Sequence, residues 1–550
     1  MAGVKFSRKE FEKRLKITPQ IIDRINMFGT PFEGMTDDEV EIEIFPNRPD
    51  MLSIEGYLRS LEAFLDKRGK TGMKHYKKEK SNYKLLVDKS VPKQWPYAIA
   101  CVIKGVKLNS DRVKDLIQLQ EKLGSTLLRR RKKGGAGLYP LGKIEWPIKF
   151  EGKKLREIIF RPLEMDDYIT ADKILDLHPT GRKYAHVCQS WDSMPVFTDK
   201  KGRVMSMPPI INSHDFGRID EKTTDIFLEV TGNDMNTIQR TLTIISTALA
   251  EMGGKIYEVE CVQVNGDKTN QPILDVEKMK INTKNIQGTL GIIVDDKDVK
   301  KLLERMGYDY DEKKKEVSIP SWRIDVIAEC DLIEDVAIAY GYENIEPQMP
   351  LGVTTIGQES NKSKFCRKVS EALIGLGLLE VSSYYLLRGL DIRRARIKPS
   401  LEVEDSKTDY KYLRPSLVPG ILRILSENVD SEYPQKIFEI GTTFRKSNSS
   451  QTGIGEKTKI CISSTPGNYT ESKQALDYLM RMIGVSYEVV EGRKKDGLIT
   501  GRVGDVIVGG KRVGFIGEVH PQILKNFRLK ESLAVIELNL KSLYNSIKII

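Results

Sequence analysis

The sequence of 550 residues is poor in the side chains that build metal and disulfide sites, with six cysteines and five histidines. The cysteines are scattered without a CxxC pair, and no two histidines stand at ligand spacing. Neither a zinc site nor a disulfide framework is therefore predicted. No run of eighteen apolar residues occurs, and residues 1–14 are polar and charged, so we expect neither a membrane span nor a signal peptide. These absences favour a cytoplasmic protein.

Charge, in contrast, is abundant. Charged residues make up 30% of the chain, the mean hydropathy is −0.36 and the formal net charge is +11. A basic balance of this size fits a polyanionic partner such as a nucleic acid. The length predicts three to five domains with ample core.

One stretch, residues 317–346, combines a strand, a turn and an acidic helix. Apolar residues repeat at helical spacing after residue 331 and predict a buried stripe. Asp331, Glu334 and Asp335 share another face, and Asp325 precedes it by six residues. Four carboxylates at one helix start need a counter-charge, which Mg²⁺ or a cationic side chain of another chain would supply. The alternative is a solvated acidic face that the helix dipole favours.

A similar pattern occurs near the start of the chain. An alternating strand precedes Pro46, Arg48 and Asp50, and a helix is predicted over residues 51–66 with Asp50 as its N-cap. The pattern resembles the turn that contains Arg323 and Asp325, with one residue inserted. It indicates either two related strand–helix modules or a chance recurrence of a turn-and-cap signal.

The region from residue 91 to about 265 is predicted to be a larger α/β unit. Five consecutive cations, residues 129–133, precede a glycine-bearing segment and predict either a phosphate-holding loop or a solvated one. The segment has no GxxxxGKS/T pattern of a P-loop. Glu229 lies between Leu228 and Val230 in an otherwise interior strand, where a carboxylate is costly unless it is hydrogen-bonded or binds a polar ligand group. Strands and helices also alternate over residues 355–550. The fold class predicted is multidomain, α+β and α/β.

The sequence resembles the β subunits of phenylalanyl-tRNA synthetases, of the shorter archaeal type. The resemblance covers nearly the whole chain, and its most specific parts are four segments in this order along the chain: 45–61, 208–232, 321–342, and 413–441 with 514–521. It implies a B1-like module over residues 1–90, a B3/B4 editing domain over 91–268, a B5 module over 269–347, and a catalytically inactive class II synthetase-like antiparallel core over 355–550.

The resemblance also implies ligands and partners. In the family, the acidic set of the B5 module holds Mg²⁺ at the junction with the α subunit, and the matching residues here are Asp325, Asp331, Glu334 and Asp335. It implies an α2β2 heterotetramer that binds tRNA(Phe), with aminoacylation and ATP binding mainly on α. The present chain agrees, because no Gly-x-Gly-x-x-Arg run follows residues 517–521.

The B3/B4 resemblance implies a second activity, hydrolysis of tyrosine from misacylated tRNA(Phe). Glu229 stands where the family places a carboxylate that reads the tyrosine hydroxyl. Asn212, Ser213 and Thr231 are candidates for orienting the ester and an attacking water. His178 and His214 are either assisting groups or, as we interpret them, structural or surface histidines. The chain departs from the family where it has Tyr139-Pro140-Leu141, because an acidic residue is usual there.

Two other interpretations remain open at this point. One is a tRNA-binding structural subunit that does not edit, and Glu229 and Asn212 argue against it. The other is a self-sufficient ligase, and the missing arginine motif argues against that.

Overall fold

The computed structural model describes residues 2–349, 352, 357–399, 401–404, 406–492 and 495–547. The chain divides into two compact units, Met1–Met349 and Pro350–Ile550, and each is described by itself. The predicted boundary at residue 355 lies outside the described residues. The six cysteines are free thiols, as their scatter along the sequence predicts. Within the described ranges, no helix is long and apolar enough to cross a membrane.

The first unit begins with a small three-stranded antiparallel sheet whose central strand is Glu39–Ile44. That strand alternates glutamates with Val40, Ile42 and Ile44, and the three apolar side chains are fully buried. Its other strands are Ala2–Ser7 and Phe32–Met35, and its helices are Arg8–Glu12, Pro19–Met27 and Ile54–Phe64, with a 3-10 turn at Pro49–Met51.

The prediction that Asp50 caps the following helix is wrong. The helix begins at Ile54, and the hydroxyl of Ser53 accepts the hydrogen bond from the N–H of Gly56. Asp50 instead receives two hydrogen bonds from Arg48. A charged guanidinium two residues away binds the carboxylate in two places, whereas a cap offers it one neutral N–H.

An eleven-stranded mixed sheet forms the centre of the first unit. Its main path runs from the edge strand Ile211–Asn212 to the edge strand Gly134–Pro140. Two strands that precede the predicted boundary at residue 90 belong to this sheet, so the sheet begins before that boundary. The remaining nine strands are Lys78–Glu79, Lys84–Val87, Tyr97–Lys104, Ile148–Lys153, Met194–Thr198, Val204–Met207, Ile226–Gly232, Lys255–Val262 and Lys268–Gln271.

Several helices pack against this sheet or lie beside its edge strand. The long helix Met235–Glu251 lies against the strands Tyr97–Lys104 and Ile226–Gly232, and Ser110–Ser125 lies near the edge strand Gly134–Pro140. The other elements of this region are the helices Ala171–Leu177 and Pro179–Cys188, the strand pair Ile159–Phe160 and Ile169–Thr170, and 3-10 turns at Leu141–Lys143 and Leu155–Glu157.

A second three-stranded sheet closes the first unit. Its strands are Glu277–Lys280, Asp309–Asp311 and the central Glu316–Ile319. The predicted helix spans Glu329–Tyr340, and Leu332, Val336 and Ala339 on its predicted stripe are buried, which confirms the helical period. The other elements are the helices Thr283–Leu290 and Asp296–Arg305 and a 3-10 turn at Tyr342–Asn344.

The second unit contains a seven-stranded sheet. Neighbouring strands are antiparallel except Leu379–Glu380, which runs parallel to Gln435–Lys446. The other strands are Ile454–Thr465, Glu488–Glu491, Leu498–Val508, Lys511–Val519 and Ala534–Asn539, with a separate pair Leu386–Arg388 and Tyr410–Leu413. The helices are Asn361–Gly375, Gly389–Ala395, Val418–Glu427, Tyr469–Met482, Pro521–Asn526 and Leu540–Ile547.

Candidate functional site

A cavity of the first unit lies where the two ends of the long sheet approach each other. The hydroxyl of Tyr139, on one edge strand, lies within hydrogen-bond distance of Asn212 Oδ1, on the other, at 3.1 Å. Arg131, just before the first of these strands, donates from Nη1 to the carbonyl oxygens of Pro209 and Ile210, both at 2.9 Å. Between the two edges lies a cavity of about 590 Å³.

Glu229 reaches this cavity from a fully buried strand next to the edge strand Gly134–Pro140. The strand Ile226–Gly232 is rich in aromatic and β-branched residues and pairs with a strand on each side. Glu229 is 2% exposed. A charged carboxylate in this position would need full hydrogen bonding, which only a suitable neighbour or ligand can provide.

Small residues on both neighbouring strands leave room beside this carboxyl group. Ala100 and Gly137 lie opposite Glu229 in the two flanking strands. A Cβ atom at Gly137 would stand 2.4 Å from Glu229 Oε1 and 2.5 Å from the Tyr139 hydroxyl. A side chain at residue 137 would therefore displace the Glu229 carboxyl group or the Tyr139 ring.

Tyr139 and burial together determine the hydrogen bonding and the pKa of Glu229. The Tyr139 hydroxyl donates to Glu229 Oε1 over 3.1 Å, whereas Oε2 has no hydrogen-bond partner among the described residues. Burial raises the pKa of Glu229 to about 8, and the hydrogen bond from Tyr139 only partly opposes this. Burial and the adjacent carboxyl group also raise the pKa of Tyr139 well above its usual value, so the phenol remains a donor.

The other predicted editing residues differ in their relation to the cavity. Asn212 lines it and shares the Tyr139 hydroxyl with Glu229. Thr231, two residues along the strand from Glu229, is fully buried, and its hydroxyl has no partner in the described part of the chain. The hydroxyl of Ser213 accepts the N–H of Asp215 and therefore stabilises the turn.

The two histidines of this region both line the cavity but differ in their hydrogen bonds. His178 accepts the N–H of Thr180 on Nδ1, and its Nε2 is 3.0 Å from the carbonyl oxygen of Leu163, which agrees with a structural role. His214 lines the cavity, and its buried Nδ1 has no partner in the described ranges. Sequence reasoning noted Tyr139 only as a departure from the family pattern and gave it no role.

The basic run 129–133 is neither a simple phosphate loop nor fully solvated. Residues 129–131 have φ between 47° and 61°, the left-handed region. This turn brings Arg131 beneath the cavity, where its guanidinium lies 4.2 Å from the ring centroid of Tyr184. Burial lowers the pKa of Arg131. The glycines after the run belong to the edge strand Gly134–Pro140 and open the cavity.

The four carboxylates predicted to bind Mg²⁺ have three different environments. Asp325 receives two hydrogen bonds from Arg323, at 2.9 and 2.8 Å, and Asp335 receives one from the same guanidinium at 2.5 Å. Asp331 turns back to accept the N–H groups of residues 327 and 328 at the helix start, at 2.7 and 2.8 Å. Glu334 is exposed.

The chain itself supplies a counter-charge for part of this cluster. Mg²⁺ requires oxygen ligands in near-octahedral positions, but Arg323 already occupies the space between two of the carboxylates and supplies their counter-charge. Across the described ranges, no three His, Cys, Asp or Glu side chains are grouped so as to hold a metal ion. Magnesium at these residues therefore stays a prediction from the resemblance.

Two family models match the chain. The model described as tRNA synthetase B5 domain matches residues 279–342, and the model described as phenylalanyl tRNA synthetase beta chain CLM domain matches residues 345–540.

Individual relatives extend the similarity to the cavity-bearing region. The chain is 34% identical over 539 residues to the phenylalanine–tRNA ligase beta subunit of Archaeoglobus fulgidus, which covers 96% of this chain and 95% of that protein. It is 34% identical over 506 residues to that of Thermococcus sibiricus, with 90% of each chain covered. A crystal structure of an N-terminal fragment of the phenylalanyl-tRNA synthetase beta subunit from Pyrococcus horikoshii matches with 29% identity and a TM-score of 0.59. It covers 62% of this chain and 99% of the fragment.

Proposed function

Because the chain belongs to the family of phenylalanine–tRNA ligase beta subunits, we propose that its 590 Å³ cavity is an editing site that hydrolyses tyrosine from misacylated tRNA(Phe). The observation that carries this proposal is the buried carboxyl group of Glu229, which reaches the cavity with one oxygen unpartnered among the described residues. A phenylalanine site cannot strongly reject a side chain that only adds a hydroxyl. A second site that requires the hydroxyl supplies the missing selectivity.

The protonation state of Glu229 suits a phenol ligand. With its pKa raised to about 8 by burial, the side chain is neutral at pH 7. A neutral carboxyl group both donates and accepts hydrogen bonds, as a phenol hydroxyl does. Tyr139 occupies Oε1 and leaves Oε2 for the tyrosine of the substrate. A phenylalanyl ester would leave this buried group unsatisfied, which costs about 1–3 kcal/mol.

Hydrolysis requires a water molecule and a path for one proton. The water oxygen attacks the ester carbonyl carbon, the bond to the ribose oxygen breaks, and the ribose oxygen takes a proton. Asn212, which lines the cavity, is suited to orient the ester, and the unpartnered Nδ1 of His214 to receive the proton of the water. Thr231 does not line the cavity but offers an unpartnered hydroxyl two residues from Glu229. No nucleophile–base pair for covalent catalysis was identified in the sequence, so direct attack by water is our proposal.

The test is deacylation of Tyr-tRNA(Phe) by the complex with the α subunit. Glu229→Ala should slow hydrolysis by roughly tenfold or more, since the loss of one buried hydrogen bond costs about 1–3 kcal/mol. Glu221→Ala, an exposed glutamate of the same region, is the matched control and should hydrolyse like the wild type. Equal hydrolysis by both variants would contradict the editing role of Glu229, whereas no hydrolysis by the wild-type complex would favour a structural subunit that does not edit.

The remaining parts of the proposal concern the complex. We place the chain in an α2β2 heterotetramer in the cytoplasm, with tRNA(Phe) as its RNA ligand and with ATP and aminoacylation mainly on the α subunit. Family membership implies use of ATP and a divalent metal by the complex, but the arrangement around Arg323 gives no support for a Mg²⁺ site at residues 325–335 in this chain alone.

An ion pair inside the second unit supports a non-catalytic core. Arg414 and Glu439 are 1% exposed, and their side chains pair at 2.6 Å within the sheet region. Ser383 donates its hydroxyl to the same carboxylate over 2.7 Å. A glutamate held in this way by its own chain serves packing. We retain the predicted modules over residues 269–347 and 355–550 as a proposal, with the last as an inactive class II-like core. For the predicted modules 1–90 and 91–268 we propose a boundary before the strand Lys78–Glu79, where the central sheet begins.

A further inference from the structure

The short repeat seen in the sequence reappears as a repeated side-chain geometry. Arg48 donates from Nε and Nη2 to the two carboxylate oxygens of Asp50, both at 2.9 Å. Arg323 donates to Asp325 with the same two nitrogens at 2.9 and 2.8 Å. Both arginines are more than 90% buried. The two pairs come from the two small three-stranded modules of the first unit.

Both arginines line a single cavity of about 320 Å³. The cavity is separate from the one that contains Glu229. Residues 69–75 line it and belong to the segment 67–80, in which seven of fourteen residues are lysine or arginine and only Glu79 is acidic. The other basic side chains on its wall are Arg14, Arg59, Lys70, Lys74 and His75.

Two guanidinium N–H groups on this wall lack acceptors. Arg59 Nε and Arg323 Nη1 are buried and have no hydrogen-bond partner in the part of the chain that the structure describes. Both guanidinium groups are held in place, because Arg59 stacks 4.2 Å from the ring centroid of Trp322 and donates to the Tyr76 hydroxyl over 3.0 Å. Arg323 is fixed by its carboxylates. Buried donors without acceptors are uncommon and costly.

The acidic side chains on the wall are already paired. Glu62 binds Arg14 at 2.5 Å and Lys67 at 3.0 Å. Glu251 binds Lys74 at 2.6 Å and accepts the hydroxyl of Tyr76. The two unsatisfied groups are cationic donors. A ligand with several acceptor oxygens and negative charge matches them, and arginine forks suit phosphoryl oxygens in particular.

We propose that this cavity binds a phosphoryl group, with Arg59 Nε and Arg323 Nη1 donating to its oxygens and Lys70 at its exposed rim. Such a group could come from two sources. One is a phosphate of the RNA backbone, and the other is free phosphate or pyrophosphate. The proposal does not depend on the editing function, since it concerns a different cavity and different residues.

The test is calorimetric titration of the full chain, in complex with the α subunit, with inorganic phosphate and with pyrophosphate. We expect saturable binding at one site for each copy of the chain. Arg59→Met should weaken it by about tenfold or more, because hydrogen bonds to charged groups are the strong ones. Arg68→Met is the matched control, since Arg68 is exposed in the same basic segment but does not line the cavity, and it should bind within about twofold of the wild type.

A second variant separates ligand binding from folding. Arg59→Lys keeps the charge and the stem but removes the Nε–H donor, so it should weaken binding while the near-ultraviolet circular dichroism stays that of the wild type. If only Arg59→Met loses the folded circular dichroism signal, the phosphate affinity of Arg59→Lys tests the proposal: weaker binding supports it, and wild-type binding contradicts it.

A competition experiment separates the two sources. If tRNA(Phe) displaces phosphate, and Arg59→Met weakens tRNA binding with a salt dependence shallower by about one ion, the phosphoryl group belongs to RNA. If phosphate or pyrophosphate binds equally well with tRNA present, the ligand is the free anion. If neither anion binds, and Arg59→Met and Arg68→Met have the same tRNA affinity, the proposal is wrong.

Discussion

Replacing Glu229 by glutamine should change how the stability of the first unit depends on pH. Burial raises the pKa of Glu229 from 4.5 to about 8 in the folded chain. Between these values the folded state holds a proton that the unfolded state has lost. The contribution of Glu229 is therefore largest at low pH, decreases as the pH rises, and levels off above about 8.

The size of this effect follows from the pKa difference. Each pH unit between the two pKa values costs about 1.4 kcal/mol, so the wild type should lose roughly 2–3 kcal/mol from pH 6 to pH 9 through this group alone. Glutamine does not titrate, so the unfolding free energy of the Glu229→Gln variant should lack this pH dependence. Asp115, whose pKa burial raises to about 7, titrates in both proteins and cancels in the difference.

Urea unfolding monitored by tryptophan fluorescence measures this difference directly. All four tryptophans lie in the first unit, so their emission reports its unfolding. The difference in unfolding free energy between the wild type and Glu229→Gln should change by roughly 2–3 kcal/mol from pH 6 to pH 9. Glu221→Gln, at an exposed position, should run parallel to the wild type. Parallel curves for Glu229→Gln as well would refute a buried, neutral Glu229.

Three further substitutions test individual contacts. Tyr139→Phe removes the only donor to Glu229 within the described residues and should slow Tyr-tRNA(Phe) hydrolysis about tenfold in a deacylation assay. Gly137→Ala places a methyl group within 2.4 Å of Glu229 Oε1 and should lower the unfolding free energy by about 1–3 kcal/mol in urea titration. Arg414→Met leaves Glu439 buried without its cation and should destabilise the second unit by about 3–5 kcal/mol, measured by calorimetry.

Each of these substitutions has a matched control. Tyr97→Phe changes a tyrosine of the neighbouring strand that does not line the cavity, and Gly142→Ala adds a methyl group to open space. Arg367→Met breaks an exposed ion pair with Glu371, which is worth about 0–1 kcal/mol. If any test variant behaves like its control, the contact assigned to that residue is wrong.

Periodic elements and isolated anomalies were predictable from the sequence. The helix Glu329–Tyr340 followed from apolar residues at helical spacing, because burial on one face imposes that period. Glu229 was predicted as a candidate because a carboxylate between Leu228 and Val230 is unusual in an otherwise interior strand. Both patterns involve residues that are close in sequence, so they can be recognised without knowledge of the fold.

Contacts between distant parts of the sheet were not predictable. Tyr139 meets Glu229 because their strands pair, and it meets Asn212 because the other edge strand approaches; those residues are 90 and 73 positions away in sequence. The acidic helix illustrates the same difficulty. The spacing of its carboxylates is visible in the sequence, but the choice of Arg323 as their counter-charge depends on a turn that brings its guanidinium between Asp325 and Asp335.

The most direct test of the editing proposal is a crystal structure of the complex with a non-hydrolysable analogue of the tyrosylated 3′ end of tRNA, in which an amide replaces the ester. The account predicts that the tyrosine ring enters the cavity between the two sheet edges and that its hydroxyl lies about 2.5–3.0 Å from Glu229 Oε2. A tyrosine ring bound elsewhere, or a hydroxyl that makes no contact with Glu229, would contradict it.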